Sequence, residues 1–144
     1  MLGGVQVPYE LGLDGYSDAD VVLHAVCDAI LGAAGLGDIG EHFPPGDPRF
    51  KNIASSQLLD QVRAMALAAG WTVVNVDVAI LAQEPHLKNH KPAMRRQIAS
   101  VLKVDETAVN IKATTNEGMG FVGRKEGIAA YATAMVMKNT GEVK

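Results

Sequence analysis

Hydrophobic residues recur along this chain with two different spacings, and the change between them predicts the order of helices and strands. Spacings of three and four residues predict three helices. The first covers 18–34, with Ser17 as its N-cap and Asp20 supporting the cap. Ser55 or Ser56 caps the second, which ends at Gly70, and the third has Pro92 in its first turn. Alternation in steps of two predicts strands over 2–7, 71–81, 109–114 and 128–138. The order is β-α-α-β-α-β-β, an α+β chain that we expect to fold as a single-domain α/β sandwich, with a mixed sheet and helices on one face.

Two of these strands carry a clear division between their faces. In the strand over 71–81, the apolar side is predicted to hold Val74, Val76, Val78 and Ile80. In the last strand, small side chains lie on one side, Ala130, Ala132 and Ala134, and larger ones on the other, Tyr131, Thr133, Met135 and Met137. Either helices cover one face and partner subunits the other, or this is a fully buried central strand; the pattern favours neither.

Composition narrows the class of protein. With 144 residues and 48% hydrophobic residues, the chain is long enough for one domain with a real core. A net charge of −3 without a run of Lys or Arg argues against nucleic acid or an anionic membrane as the main partner. We expect no signal or transit peptide and no membrane-spanning segment. Cys27 is the single cysteine, which excludes an intrachain disulfide and predicts a small core residue.

The first predicted helix places three polar side chains on one stripe. Asp20, His24 and Asp28 follow one another at intervals of four. An imidazole between carboxylates is suited to act as a metal ligand or as an acid–base group. A neighbouring carboxylate fixes the tautomer of the imidazole and raises its basicity. A hydrogen-bonded core histidine fits the same pattern, so both interpretations stay open.

Two polar loops offer weaker signals. The loop over 37–48 combines Asp38 and Asp47 with several glycines and prolines, which suits phosphate or hydroxyl recognition but also an ordinary turn with solvated acids. The loop over 82–90 holds His86 and His90 four residues apart. Its polar context and Pro85 favour two surface histidines over a metal pair.

The segment over 112–127 carries the most chemistry. Thr114, Thr115, Asn116 and Glu117 leave the end of a strand, and three glycines then let the backbone approach a ligand, Gly118, Gly120 and Gly123. Arg124 and Lys125 follow, and cations there would neutralise phosphate. One carboxylate beside phosphate groups is typical of Mg²⁺ sites. These residues indicate an enzyme that acts on a phosphate-containing ligand and has contacts between subunits. It is not a P-loop enzyme, because the P-loop spacing is absent.

Three segments together resemble one family: SDADVVLHAVCDAILGAAGLGDIG, FPPGDP followed by Lys51 and Ser55, and KATTNEGMGFVGRKEGIA. They are similar to the 2-C-methyl-D-erythritol 2,4-cyclodiphosphate synthases of non-mevalonate isoprenoid biosynthesis, over about 3–138. The resemblance implies a homotrimer with its sheets toward the threefold axis, and active sites between adjacent subunits. It implies a lyase that converts 4-diphosphocytidyl-2-C-methyl-D-erythritol 2-phosphate into the 2,4-cyclodiphosphate and CMP, in the bacterial cytoplasm or the plastid stroma.

Roles for individual residues follow from the resemblance alone. His24 corresponds to a Zn²⁺ ligand that Asp28 could support, and Glu117 to the residue that reaches a Mg²⁺ or Mn²⁺ ion. Catalytic roles fall to Thr115 and to Tyr16, which stands where the family has histidine. The implied substrate-binding residues are Ser17, Asp38, Ile39, Gly40, Phe43, Asp47, Ala82, Gln83, Glu84, Pro85, His86, Leu87, Lys88, Thr114, Asn116, Glu117, Phe121 and Arg124. Of these, Phe121 and Arg124 correspond to positions near the threefold axis.

The sequence also departs from the family. An Asp-x-His pair on the family's first strand supplies two further Zn²⁺ ligands, and no Asp-x-His occurs in these 144 residues. Pro45 and Gly46 stand where the family has an acid and a threonine. We therefore expect a single domain over 1–144 without that strand, binding Zn²⁺ poorly. There are two alternatives. The chain is a catalytically impaired homologue that binds nucleotide or isoprenoid phosphates, or it is a trimeric structural partner.

Overall fold

The computed structural model describes residues 1–8 and 20–139. Its elements in chain order are the helices and strands α1 (Val21–Ala33), α2 (Ile39–His42), α3 (Ser55–Ala68), β1 (Trp71–Leu81), α4 (Lys91–Leu102), β2 (Val109–Thr114), α5 (Gly120–Gly123) and β3 (Ala129–Lys138), with single 3-10 turns at Pro48–Phe50 and Glu106–Ala108. The prediction of an α+β chain is confirmed. None of the helices in this described part is long and apolar enough to cross a membrane.

The three strands form one mixed sheet in the order β2-β1-β3. β1 runs parallel to β2, since α4 carries the chain back between them, and antiparallel to β3. At the carboxyl end of β1, Leu81 lies opposite Thr114 of β2 and Ala129 of β3. The predicted mixed sheet and the predicted bounds of β1 and β2 are confirmed.

A β-bulge changes which side of β1 is buried near its start. The register against β3 shifts between Val73 and Asn75, which leaves Val74 as an extra residue. Val73 is therefore buried and Val74 is exposed, whereas Val76, Val78 and Ile80 keep the predicted inward direction. The prediction that Val74 faces the core is wrong, because regular alternation cannot reveal a bulge.

The helices cover one face of the sheet and leave the other open. The core between α1, α3, α4 and the sheet includes Leu23, Ile30, Leu59, Ile80, Met94 and Ile98, all fully buried. Cys27 lies in this core as predicted, and burial raises the pKa of its thiol. On the opposite face Tyr131, Met135 and Met137 are 67%, 61% and 62% exposed. Within residues 1–8 and 20–139, β3 therefore lies at a sheet edge with one open face, which contradicts the alternative of a fully buried central strand.

Asp20 begins α1 and also holds the start of the chain. Its Oδ1 accepts hydrogen bonds from the backbone N–H of Leu23 at 3.0 Å and of Gly3 at 2.9 Å, and Oδ2 accepts from Gly4 N–H at 2.7 Å. Asp20 is thus the N-cap itself, and the predicted cap Ser17 lies outside the described residues.

The predicted strand over 2–7 is wrong. Leu2 and Val5 instead form an isolated bridge across a turn at Gly3 and Gly4, which have φ of 59° and 77°. Such φ values favour glycine, and a Cβ on Gly3 would lie 2.6 Å from Cγ of Met94. The turn seats Leu2 in the core against the helical layer.

Replacing Asp20 tests this arrangement. Asp20→Ala removes the cap of α1 and both bonds to the N-terminal turn, and we expect it to lower the free energy of unfolding by about 3 kcal/mol. Asp20→Asn keeps one oxygen acceptor and should cost roughly half as much. Urea denaturation of both variants measures this, and equal stability of Asp20→Ala and the unmodified chain would contradict it.

Candidate active site

A cavity of about 450 Å³ opens where β1 and β2 end side by side. Ala82 N–H donates to the carbonyl oxygen of Thr114 at 3.0 Å, which extends the parallel pairing by one residue and brings the two following loops together. The walls of the cavity are formed by Ala82, Pro85, His86, Leu87, Lys88, Lys91, Ala113, Thr114 and Thr115. Its volume lies in the range of small-molecule sites.

The lining of this cavity divides into an apolar floor and a cationic rim. Ala82 and Leu87 are buried, whereas His86 and Lys88 are exposed. Lys91, the first residue of α4, adds a second cation. The arrangement suits a flat ring with an attached phosphate, since the ring is desolvated and the anion meets ammonium groups. Sequence reasoning missed Lys91, although its place just after the loop over 82–90 was a usable signal.

The turn after β2 carries Glu117 beside this cavity. Glu117 has a φ of 53°, and its N–H donates to Oγ1 of Thr115 at 3.3 Å. The next residue, Gly118, donates its N–H to Oε1 of Gln83 at 3.1 Å. Gly123 of α5 packs so closely that a Cβ there would lie 2.1 Å from the carbonyl carbon of Gly118. Of the three predicted loop glycines, Gly123 is therefore closely packed, whereas a Cβ on Gly118 or Gly120 would meet open space.

Both cations that follow this turn have carboxylate partners. Arg124 Nη2 lies 3.0 Å from Oε2 of Glu126, and the ion pair lowers the pKa of that carboxyl below its usual range. Lys125 Nζ lies 3.0 Å from Oε1 of Glu84. The structure thus directs both cations to acids of this chain, and the ammonium groups that line the cavity are those of Lys88 and Lys91. A phosphate-binding role for Arg124 stays a prediction.

A second cavity, of about 390 Å³, lies between α1, α2 and α3. Its walls are formed by His24, Asp28, Ile39, Gly40, Phe43, Pro45, Phe50, Ile53 and Leu58. The structure therefore brings together five residues that the sequence analysis placed in one site, His24, Asp28, Ile39, Gly40 and Phe43.

Hydrogen bonds fix the polar members of this second cavity. Ser55 is the first residue of α3. Its Oγ lies 3.0 Å from Nε2 of His24, so its hydroxyl is directed toward α1. The predicted cap by Ser55 or Ser56 is wrong, since Ala54 occupies the N-cap without a side-chain bond. Asp28 Oδ1 accepts from Ile39 N–H at 2.8 Å and so ties α1 to the loop.

The two acids of the 37–48 loop each begin a short helical segment. Asp38 caps α2 by accepting from Glu41 N–H at 3.0 Å. Asp47 accepts from Arg49, whose Nη2 lies 2.8 Å from Oδ2, and this contact lowers the pKa of the Asp47 carboxyl. Neither acid lines the second cavity, although Ile39 and Gly40 beside Asp38 do.

The remaining predicted positions are spread over the surface or lie beyond the described part. Phe121 is 52% exposed and lies next to Gly127. The backbone carbonyl oxygen of Asn116 accepts a hydrogen bond from Met119 N–H at 3.0 Å and so closes the turn. Tyr16 and Ser17 lie outside the described residues. Among residues 1–8 and 20–139, no group of three His, Cys, Asp or Glu side chains comes close enough to hold a metal ion.

Known proteins resemble this chain along nearly its whole length. The 2-C-methyl-D-erythritol 2,4-cyclodiphosphate synthase of Dehalococcoides mccartyi is 54% identical over 136 residues, which cover 94% of this chain and 87% of that protein. The corresponding synthase of Desulfosudis oleivorans is 54% identical over 138 residues, covering 96% and 82%.

Solved structures agree with these sequence matches. The bifunctional IspDF from Campylobacter jejuni matches with a TM-score of 0.92 and 46% identity over 96% of this chain, which spans only 37% of that longer protein. A CDP-bound 2C-methyl-D-erythritol-2,4-cyclodiphosphate synthase matches with a TM-score of 0.87 and 27% identity, covering 95% of this chain and 89% of that one. The YgbB family model matches residues 1–137. This chain therefore belongs to the YgbB family, the family of the 2-C-methyl-D-erythritol 2,4-cyclodiphosphate synthases.

Proposed function

We propose that this chain converts 4-diphosphocytidyl-2-C-methyl-D-erythritol 2-phosphate into 2-C-methyl-D-erythritol 2,4-cyclodiphosphate and CMP. The observation that carries the proposal is the cavity at the joined ends of β1 and β2, with its apolar floor and its rim of two lysines, in a chain 54% identical to synthases of that name. A related synthase has been solved with CDP bound, which contains the cytidine and diphosphate groups of the substrate.

The reaction is an intramolecular phosphoryl transfer. An oxygen of the 2-phosphate attacks the β-phosphorus of the same molecule and forms a new P–O–P bond. The bond between the β-phosphorus and the bridging oxygen breaks, and that oxygen leaves with CMP. No water is consumed, so the protein must position two phosphates of one molecule and stabilise the charge on the leaving group.

The described residues can divide this work between them. Ala82, Pro85 and Leu87 form the wall on which the cytosine ring would lie. Lys88 and Lys91 would stabilise the negative charge that develops on the leaving CMP. Thr115 also lines this cavity, and its hydroxyl would lie between the nucleotide and the turn that carries Glu117.

The described residues fit the two expected cations differently. Glu117 is an exposed carboxylate beside the cavity. Proteins commonly hold Mg²⁺ or Mn²⁺ with one or two carboxylates together with substrate phosphates, and the cation polarises those phosphates. Glu117 therefore fits such a cation. Catalytic zinc usually takes three protein ligands. His24 would supply one, but the described residues bring no further two together, so they do not fit a zinc site.

The two cavities have no lining residue in common, which bears on assembly. The cavity with His24 would hold the methylerythritol part of the substrate, and the cavity with Lys88 its nucleotide. We propose that the two cavities meet where adjacent subunits of a homotrimer contact each other. The open face of β3 supports this, because its exposed methionines and tyrosine form an apolar surface that needs a cover. The bacterial cytoplasm or the plastid stroma is the proposed compartment.

Turnover tests the proposed function. Supplied with the substrate and Mg²⁺, the protein should release CMP and the cyclic diphosphate in equal amounts, as measured by chromatography. CDP should inhibit this reaction and ADP should not, because the backbone groups that line the cavity at Ala82 and at residues 85–88 would read the cytosine edge. Absence of CMP, or equal inhibition by CDP and ADP, would contradict the proposal.

Light scattering tests the proposed trimer. The unmodified chain should have three times the 15.2 kDa mass of one chain. Met135→Lys places a charge on the open face of β3 and should give monomers at micromolar concentration that release no CMP. Leu67→Lys is the matched control, because Leu67 is 49% exposed on α3, and it should leave the trimer intact. A stable monomer of the unmodified chain would exclude shared active sites.

A further inference from the structure

Two side-chain contacts join the loop over 82–88, here called the nucleotide loop, to the turn over 115–119, here called the carboxylate turn, and to the residues after it. Gln83 Oε1 accepts from Gly118 N–H at 3.1 Å, and Glu84 Oε1 pairs with Lys125 Nζ at 3.0 Å. Neighbouring Ala82 and Pro85 line the cavity, whereas Gln83 and Glu84 do not. These two side chains therefore point to the other loop, although the resemblance assigned them to substrate binding.

The two contacts lie at or next to residues with an unfavourable backbone conformation. Glu117 has a φ of 53° and Lys125 a φ of 64°, and few residues with a side chain adopt this left-handed conformation. A conformation of this kind persists only where its surroundings hold it. Gln83 binds the N–H directly after Glu117, so its acceptor restrains the backbone from which the Glu117 side chain extends.

Both contacts are open to solvent, and they differ in what they join. The side chains of Glu84 and Lys125 are 48% and 47% exposed, and ion pairs this open to solvent contribute little. The bond from Gly118 N–H to Gln83 joins a side chain to the backbone of the turn itself. Gln83 is therefore the contact that acts directly on the backbone beside Glu117.

We infer that Gln83 is a positioning residue that couples nucleotide binding to cation binding. A nucleotide that orders the nucleotide loop also orders the Gln83 side chain, and this in turn holds the Glu117 carboxylate in place for a divalent cation. Because such coupling is reciprocal, a cation at Glu117 strengthens nucleotide binding by the same factor. The identity of the two ligands rests on the proposed function, whereas the connection between the two segments does not.

Calorimetry of CDP binding with and without Mg²⁺ tests the coupling. In the unmodified protein Mg²⁺ should strengthen CDP binding about tenfold. Gln83→Met keeps the length of the side chain and removes its acceptor; it should reduce this gain to about twofold, while CDP binding without Mg²⁺ changes by less than about twofold. Gln83→Glu keeps an acceptor oxygen, and Gln61→Met makes the same exchange at an exposed position of α3. Both controls should keep the gain.

Amide hydrogen exchange tests the connection without any ligand. In the ligand-free protein, NMR should show the Gly118 amide exchanging about fivefold faster in Gln83→Met and unchanged in Gln61→Met, as expected for the loss of one hydrogen bond.

Three other results have definite meanings. Unchanged Mg²⁺ gain and unchanged Gly118 exchange in Gln83→Met would overturn the inference. Equal weakening of CDP binding with and without Mg²⁺ would also overturn it, since Gln83 would then support the nucleotide alone. If the unmodified protein bound no CDP, the proposed function would fail; faster Gly118 exchange in Gln83→Met would still support the connection, and unchanged exchange would refute it.

Discussion

The parallel pairing of β1 with β2 is the constraint on which the nucleotide cavity depends. Leu81 lies opposite Thr114, so the two strands end at the same level and their loops leave the sheet together. The register is fixed by burial, because Val78 and its paired residue Ile111 both face the core, and a slip of one residue would turn one strand's apolar side chains to solvent. Every contact between the two loops follows from this alignment.

The helical layer sets the second cavity by a different means. Asp20 fixes the start of α1, and the contact between His24 and Ser55 fixes α1 against α3. Asp28 then holds the following loop through Ile39. One helix stripe thus performs three tasks, a buried cap, a link between helices and a link to a loop. This explains how three polar residues can share the stripe without forming a common ligand set.

Much of this arrangement could be predicted from local pattern. β1 and β2 were predicted with their observed bounds because period-two alternation and flanking breakers are local signals. The grouping of His24 with Ile39, Gly40 and Phe43 came from the family resemblance, and the second cavity contains all four. The start of α1 was misplaced because Ser17 and Asp20 are both good caps, and the choice of Asp20 depends on the distant amides of Gly3 and Gly4.

Most of what the sequence could not show involves contacts between segments far apart in sequence. Whether Ser55 caps α3 or turns to His24 is decided across 31 positions of the chain. The partner of Lys125 is Glu84, on another loop, and no local pattern indicates that pair. Exposure of Val74 depends on a bulge set by pairing with β3. Composition and periodicity report on neighbours along the chain, so they could not reveal these contacts.

The central claim is that this protein holds both phosphates of a single molecule, so that one attacks the other without water. Turnover in ¹⁸O-labelled water, followed by mass spectrometry of both products, tests it most directly. The account predicts that neither CMP nor the cyclic diphosphate contains ¹⁸O, because every oxygen comes from the substrate. Incorporation of ¹⁸O into either product would show that water attacks phosphorus, and it would contradict intramolecular transfer at this site.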